Sequence, residues 1–249
     1  MRYHSLSVTR KMAWTLAVLW GAIACPCSSS KLSAATFGAG GTATLTITNI
    51  VGGGPSVFME GLEFAPILFQ YATGAGTASA MGTSVLTAAD PFNLVVGDHL
   101  DLTSDVLGTA PNPESASATS LVDGQIGITN NSSGDVTVFF DLIYAISADA
   151  SAAEPGGFAL SDASVVAVSE DLFEFVNESV SSFGDMDFSD GSMSLGPSAA
   201  SFSLTVSAGD FDAVSVSVDS SGFASVPEPS ALWLLVTTTG AMCAARRRS

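Results

Sequence analysis

Alternating apolar and polar residues recur through the middle of the chain and predict short β-strands. Residues 42–50 alternate cleanly, which puts Leu45 and Ile47 on one side and threonines on the other. Residues 136–147 form the most hydrophobic of these segments, and residues 213–218 alternate valine with small residues. A period of two is the pattern of a strand with one buried face.

Other segments extend the same pattern, with turn residues between them. Further strands are expected at residues 67–72, 92–96, 125–129, 158–168 and 202–206, and a turn at residues 130–135. Residues 110–120 predict a loop or an edge, and residues 100–107 and 172–176 predict either short helices or strands. Strands about every ten residues predict an all-β fold, an antiparallel β-sandwich of jelly-roll-like character.

Charge is distributed very unevenly along the 249 residues. Asp and Glu number 24 against 7 Lys and Arg, and no Lys or Arg lies between Lys31 and Arg246. The acidity argues against nucleic acid or anionic lipid as the main partner, because phosphates are bound by cations. The high apolar content argues against a disordered acidic chain. Carboxylates in this body have to be solvated, screened by salt, bound to cations or satisfied by backbone N–H groups.

The first 35 residues predict a secretory signal peptide. Residues 1–11 are polar with three cations, residues 12–25 are apolar, and small residues follow. This order is that of a signal peptide, and Ser33 and Ala35 fit the −3 and −1 positions of a cut after Ala35. A cut after Ala34 or slightly upstream stays open. A lipoprotein signal ending at Cys25 is an alternative, and a permanent anchor is disfavoured because the apolar run is short.

The end of the chain carries three features in a fixed order. Pro227, Glu228 and Pro229 precede an apolar run at residues 231–245, and Arg246, Arg247 and Arg248 follow. A run of 15 residues is shorter than the roughly 20 that a stable transmembrane helix needs, which suits transient insertion. The arginines would stay on the cytoplasmic side and leave the body outside. An ordinary tail anchor is the alternative.

This order resembles the PEP-CTERM sorting signal of bacteria that have an exosortase system. The resemblance covers residues 226–249 and implies that an exosortase-like membrane protease-transpeptidase recognises Pro227, Glu228 and Pro229. It would then release or transfer the body, residues 36–225. The same type of segment is also known as an ice-binding protein C-terminal domain, a label that describes the tail. The expected architecture is therefore a sandwich flanked by an N-terminal signal helix and a C-terminal hydrophobic helix.

All three cysteines lie in the two terminal segments, so the body needs no oxidative folding on export. The body also has a single histidine, His99, with Asp98, Asp101 and Asp105 nearby in sequence. It contains no Gly-x-Ser-x-Gly motif, so catalysis through His99 is disfavoured. The body has no tryptophan, which weakens the case for a glycosidase or a lectin.

A zinc site at His99 with Asp98 and Asp101 has too few ligands to be favoured, whereas a cluster of acids before Gly191 predicts a calcium site. Asp185, Asp187 and Asp190 place three carboxylates close together, as a calcium ion requires, although the spacing is not that of an EF-hand loop. A solvated acidic turn is the simpler alternative.

These features together predict an exported, non-enzymatic protein of the cell surface or extracellular matrix. Its expected partners are signal peptidase and an exosortase-like protease during export, and exopolysaccharide or other matrix components afterwards. No cofactor is expected apart from calcium. The alternatives are a β-sandwich module that binds calcium or polysaccharide and, second, a secreted hydrolase.

Overall fold

The computed structural model describes residues 34–227, except for residues 54, 55, 154, 155, 172 and 186–190. Every regular element in this part of the chain is a β-strand, apart from one isolated turn of 3₁₀ type at Ser56. The strands are β1 (Ala34–Gly52), β2 (Val57–Glu63), β3 (Ile67–Ala72), β4 (Thr77–Thr87), β5 (His99–Pro111), β6 (Ser115–Asn130), β7 (Val136–Ala152), β8 (Phe158–Ser169), β9 (Glu174–Asp185), β10 (Ser192–Val206) and β11 (Phe211–Ser225). The two helices expected at the ends of the chain lie outside the described residues.

The strands form two antiparallel sheets. Sheet I has the order β10-β7-β1-β5-β4, and sheet II has the order β2-β6-β11-β8-β9, with β3 also paired to β6. Strands β2 and β3 follow each other along β6, since β2 pairs with its second half and β3 with its first half. The inner faces pack on each other, β1 and β5 against β11 and β7 against β8, as in a β-sandwich.

Alternation of buried and exposed residues along the strands creates the core between the sheets. In β7 the buried side chains are those expected from the pattern, among them Phe140 and Leu142. Leu45 and Ile47 of β1 and the valines of β11 are buried on the same inner layer. Because the side-chain period is two, a slip of one residue would turn each of these side chains to solvent.

Small residues make room for one aromatic side chain of the core. The ring of Phe37 lies against Gly108 and Gly222, where a Cβ atom would overlap it. Glycine is required there for close packing rather than for an unusual backbone conformation.

A few buried polar side chains donate hydrogen bonds to backbone carbonyl groups. Ser104 Oγ donates to Ser120 O at 2.8 Å, and Ser120 Oγ donates to Met81 O at 2.8 Å. Asn130 is fully buried at the end of β6, and its amide group donates to Gly134 O and to Val206 O, each at 2.9 Å. These bonds meet the general requirement that buried polar atoms have partners.

Most of the expected strands are confirmed, and residues 100–107 and 174–176 are strands rather than helices. The expectation of a strand at residues 92–96 is wrong. The carboxylates of Asp90 and Asp98 accept the N–H groups of Phe92 and Val95, at 3.0 Å and 2.9 Å. Such local bonds compete with strand pairing and hold the segment in turns.

Residues 110–120 also contain a shorter loop than expected. Strand β5 ends at Pro111 and β6 begins at Ser115, so only a short turn separates them. The jelly-roll-like character of the sandwich stays a prediction.

Candidate functional site

The first candidate group lies on the outer face of sheet I, around the histidine of the body. His99 Nε2 is 3.4 Å from Asp101 Oδ2, and its Nδ1 is 3.3 Å from Gly97 O. Thr44 Oγ1 donates to the other oxygen of Asp101 at 2.6 Å. Asp101 therefore lies between the hydroxyl and the imidazole. In a catalytic triad the imidazole has to lie between the hydroxyl and the carboxylate, so this order does not make a triad.

The other two acids near His99 have separate roles. Asp98 accepts the Val95 N–H and closes a turn. Asp105 lies beside Gly40 on the neighbouring strand, and burial raises the pKa of its carboxyl. The structure thus brings His99 and Asp101 together but leaves Asp98 and Asp105 apart from them.

The predicted calcium ligands fall mostly outside the described residues. Asp185 is the last residue of β9 and pairs with Phe158, whereas Asp187 and Asp190 are not described. Within the described part of the chain, no three His, Cys, Asp or Glu side chains converge on a point that could hold a metal ion. Calcium binding by Asp185, Asp187 and Asp190 stays a prediction.

The outer face of sheet II carries an exposed apolar surface, which we call the aromatic face. In β3 alone, Ile67, Phe69 and Tyr71 point outward and are 64%, 58% and 53% exposed. Gln70, between them, points inward and donates to Ala80 O of β4 at 3.1 Å. The members of the aromatic face are Phe58, Leu62, Phe64, Ile67, Phe69, Tyr71, Phe158, Leu160 and Phe223.

Strand register aligns these side chains in rows across the sheet. The row that starts at Tyr71 continues through Ser117, Phe223 and Leu160. The ring centroids of Phe223 and Phe158 are 5.3 Å apart. Strands in a sheet are about 4.8 Å apart, so roughly 10 Å separates the strands of Tyr71 and Phe223, with a serine hydroxyl between them.

The next row has one aromatic ring at its edge and hydroxyl and carboxylate groups across the rest. It runs from Phe69 through Thr119 and Ser221 to Asp162 and Ser181. Aromatic rings and hydrogen-bonding groups therefore stand side by side on this face, rather than in separate zones.

Three carboxylates cross the middle of the aromatic face. Asp219 of β11 is opposite Leu121 and Ser164, which places Asp123 and Asp162 diagonal to it on the two flanking strands. Diagonal neighbours in a sheet are about 7–8 Å apart. The three acids therefore form a line across the central strands of sheet II.

Burial is the largest cause of the pKa shifts in this line of acids. Burial raises the pKa of the Asp219 carboxyl, and the negative charges of Asp123 and Asp162 raise it further. A hydrogen bond from the backbone of Ser220 lowers it. Burial also raises the pKa of Asp123. Asp219 Oδ1 is buried and has no hydrogen-bond partner among the described residues. A depression of about 320 Å³ lies beside Asp123, lined also by Phe64, Val166 and Ser217.

The two predicted processing sites lie at one end of the sandwich. Val226 is 2% exposed and its N–H donates to Glu114 O at 3.0 Å, whereas Pro227, the next residue, is exposed. At the start of the body, Ala35 is buried and pairs with Ala110 and Ala152. The turn between β5 and β6 lies beside both, since Ala34 pairs with Pro111 and Ser225 with Ser115.

Several predicted site residues lie outside the described residues: Ser33, Glu228, Pro229, Arg246, Arg247 and Arg248. Their roles stay predictions. In the described part of the chain, no helix is long and apolar enough to cross a membrane.

Sequence reasoning missed the aromatic face. The apolar run at residues 67–72 was expected to form a strand, and outward-pointing Phe69 and Tyr71 at alternate positions are its only local sign. The line of acids had no local sign, because Asp123, Asp162 and Asp219 are far apart in sequence and meet only through strand pairing.

No family model and no curated protein matches the chain. Among solved structures, a putative β-galactosidase from Bacteroides fragilis is 9% identical with a TM-score of 0.13, over 66% of this chain and 25% of that one. A β-glucuronidase 2 from Bacteroides uniformis is 10% identical with a TM-score of 0.12, over 72% of this chain and 20% of that one. An anti-sigma factor domain-containing protein is 9% identical with a TM-score of 0.12, over 80% and 72%. The chain thus spans about a quarter or less of the two glycosidases, and the likeness is too low to carry an argument about function.

Proposed function

We propose that the protein is an exported, non-enzymatic protein of the cell surface or extracellular matrix, processed by an exosortase-like enzyme. The observation that carries the proposal is the position where the folded body ends. Val226 is buried and hydrogen-bonded, and the exposed Pro227 opens the Pro-Glu-Pro motif. The motif would thus be presented at the surface of the body, where a membrane enzyme can reach it.

The position of the two chain ends supports the same proposal. Both Ala34 and Ser225 lie beside the turn between β5 and β6, so both predicted membrane segments leave from one end of the sandwich. A precursor held in the membrane at both ends could therefore fold its body without strain between the two attachments. Connections that pass repeatedly between the sheets, as from β5 to β6 and from β7 to β8, support the jelly-roll-like type of sandwich as part of this proposal.

The arrangement around His99 supports a role other than catalysis. Its two ring nitrogens face Gly97 O and Asp101, and the hydroxyl of Thr44 is bound to Asp101. This geometry provides no hydroxyl positioned for deprotonation by the imidazole.

The intact mass of the protein recovered from the surface and medium of its host tests the proposal. We expect a species that begins near Thr36 and ends near the Pro-Glu-Pro motif, with or without an added group. The matched variant replaces Pro227 and Pro229 with alanine and should accumulate with Arg246 to Arg248 still attached. A wild-type protein that keeps these arginines at the cell surface would show instead a tail-anchored envelope protein.

A second candidate function is a binding module for calcium or polysaccharide. The observation that favours it is the aromatic face, because many exposed apolar side chains gathered on one face of a protein are typical of a binding surface. The calcium form is tested by thermal unfolding with and without a chelator. An unchanged melting temperature would eliminate it.

A further inference from the structure

We infer that the aromatic face of sheet II binds a polysaccharide that carries free amino groups. The inference rests on the second candidate function and names its ligand class; the sorting proposal does not depend on it.

The first step is the kind of surface that the face presents. Phe69 and Tyr71 are more than half exposed on strand β3, and Phe223 lies in the same row as Tyr71 with Ser117 between them. Aromatic rings offer flat apolar area, and a ring edge or hydroxyl can face water at the same time. Such rows suit an extended ligand that has both apolar and hydrogen-bonding surfaces.

The second step separates a sugar polymer from a protein partner. The cores of protein interfaces are enriched in aromatic residues but depleted in serine and aspartate. Here Ser221 and Asp162 lie in the same row as Phe69, and Ser117 lies next to Tyr71. A ligand that covers this face must therefore satisfy hydroxyl and carboxylate groups along its length, as a polysaccharide does.

The third step is charge complementarity. No Lys or Arg occurs between Lys31 and Arg246, so the carboxylates of the face have no cationic side chain in the body to pair with. Asp219 lies at the centre of this face with Asp123 and Asp162 flanking it, and all three acids occupy outward-facing positions of their strands. An ammonium group donates up to three charge-assisted hydrogen bonds and is also attracted to aromatic rings. Amino sugars supply this group at regular intervals along a polymer.

The test measures binding of a β-1,4-linked glucosamine hexamer to the full chain held in nanodiscs of zwitterionic lipid. The N-acetylglucosamine hexamer is the matched ligand, because acetylation removes the charge of the amino groups and leaves the sugar backbone unchanged. We expect the charged hexamer to bind, and the acetylated hexamer to bind about tenfold or more weakly. Binding should also weaken with salt, since it depends on charge.

Two variants of the face and two matched controls locate the site. Asp219→Asn keeps the shape of the side chain and should weaken binding about tenfold, as should Phe69→Ser. The controls are Asp149→Asn and Phe139→Ser on the outer face of sheet I, which should leave binding unchanged. Thermal unfolding of each variant shows that the fold is kept.

Other results would overturn the inference in distinguishable ways. Equal binding of both hexamers would remove the role of the amino groups but keep a polysaccharide-binding module. Equal loss in the sheet I controls, or no binding of either hexamer, would remove the site itself. Self-association of the chain that Phe69→Ser abolishes, without hexamer binding, would instead identify the face as a protein interface. None of these results would affect the mass measured for the sorted protein.

Discussion

The outer faces of the two sheets have the same alternating pattern, but they use their polar groups differently. On sheet I, Asp101 accepts a hydrogen bond from Thr44 at 2.6 Å, and Asp141 accepts one from Ser201 at 2.6 Å. On sheet II, Asp219 has a buried oxygen without a partner. Two carboxylates of sheet I thus accept hydrogen bonds from hydroxyl groups of the neighbouring strands, whereas one oxygen of the central carboxylate of sheet II has no partner among the described residues.

The arrangement of exposed apolar side chains also differs between the two faces. On sheet I, Leu107 lies between Ser79 and Gly38, and Val85 is opposite Asp101, so apolar groups stand singly. On sheet II apolar side chains are more numerous, and some lie side by side on neighbouring strands, as Phe223 and Leu160 do. The comparison teaches that exposure of a single apolar residue is ordinary, whereas a face that gathers many exposed apolar side chains is the one on which to test binding.

The largest expected effect comes from the inner layer that the two faces share. Phe140 is fully buried in β7, and its ring stacks on Phe202 with centroids 5.6 Å apart. Phe140→Ala should lower the free energy of unfolding by about 3–5 kcal/mol, because it removes buried apolar area and leaves a cavity. Denaturant unfolding followed by tyrosine fluorescence and by far-UV circular dichroism measures the change.

The neighbouring residue is the matched control. Phe139 points to the outer face of sheet I and is 37% exposed, so Phe139→Ala should cost less than about 1 kcal/mol. Similar losses for the two variants would show that β7 is not oriented as described. Unfolding midpoints that differ between the two probes would show that the two sheets do not unfold as one unit.

The sequence predicts the two-layer fold better than it predicts the aromatic face and its acids, for a physical reason. The burial of Leu45, Ile47 and the β11 valines follows from a period of two that can be read within one strand. The line of Asp123, Asp162 and Asp219 depends on the register of three strands, which no local pattern contains. The strand expected at residues 92–96 failed for a local reason, because the carboxylates of Asp90 and Asp98 bind backbone N–H groups.

A smaller effect compares Asp219 with an exposed acid of sheet I. Burial raises the pKa of Asp219 above its ordinary value of 3.8, so folding binds protons to this group. The contribution of Asp219 to the free energy of unfolding is therefore most favourable below pH 3.8. That contribution is lost as the pH rises through the raised pKa of the folded state. Asp219→Asn should be more stable than wild type at pH 7 by less than about 1 kcal/mol, because solvent screens a partly exposed group.

Thermal unfolding between pH 3 and pH 7 measures this difference. The melting temperatures should coincide near pH 3 and separate by up to about 2–4 °C at pH 7. Asp149→Asn, an exposed acid on sheet I, is the control and should show no such separation. A destabilising effect of Asp219→Asn at pH 7 would mean that its carboxylate is stabilised by a partner.

The smallest effect tests whether the hydroxyl groups of sheet I satisfy its carboxylates. Thr44→Val removes the hydroxyl that donates to Asp101 and leaves a side chain of the same shape and of high strand propensity. The loss of one partly exposed hydrogen bond to a charged group should lower the free energy of unfolding by about 0.5–1 kcal/mol. The double variant with Asp101→Asn should lose less than the sum of the two single changes, because the two side chains interact. Strict additivity would show that the 2.6 Å contact contributes nothing, and the contrast between the two faces would then rest on the apolar side chains alone.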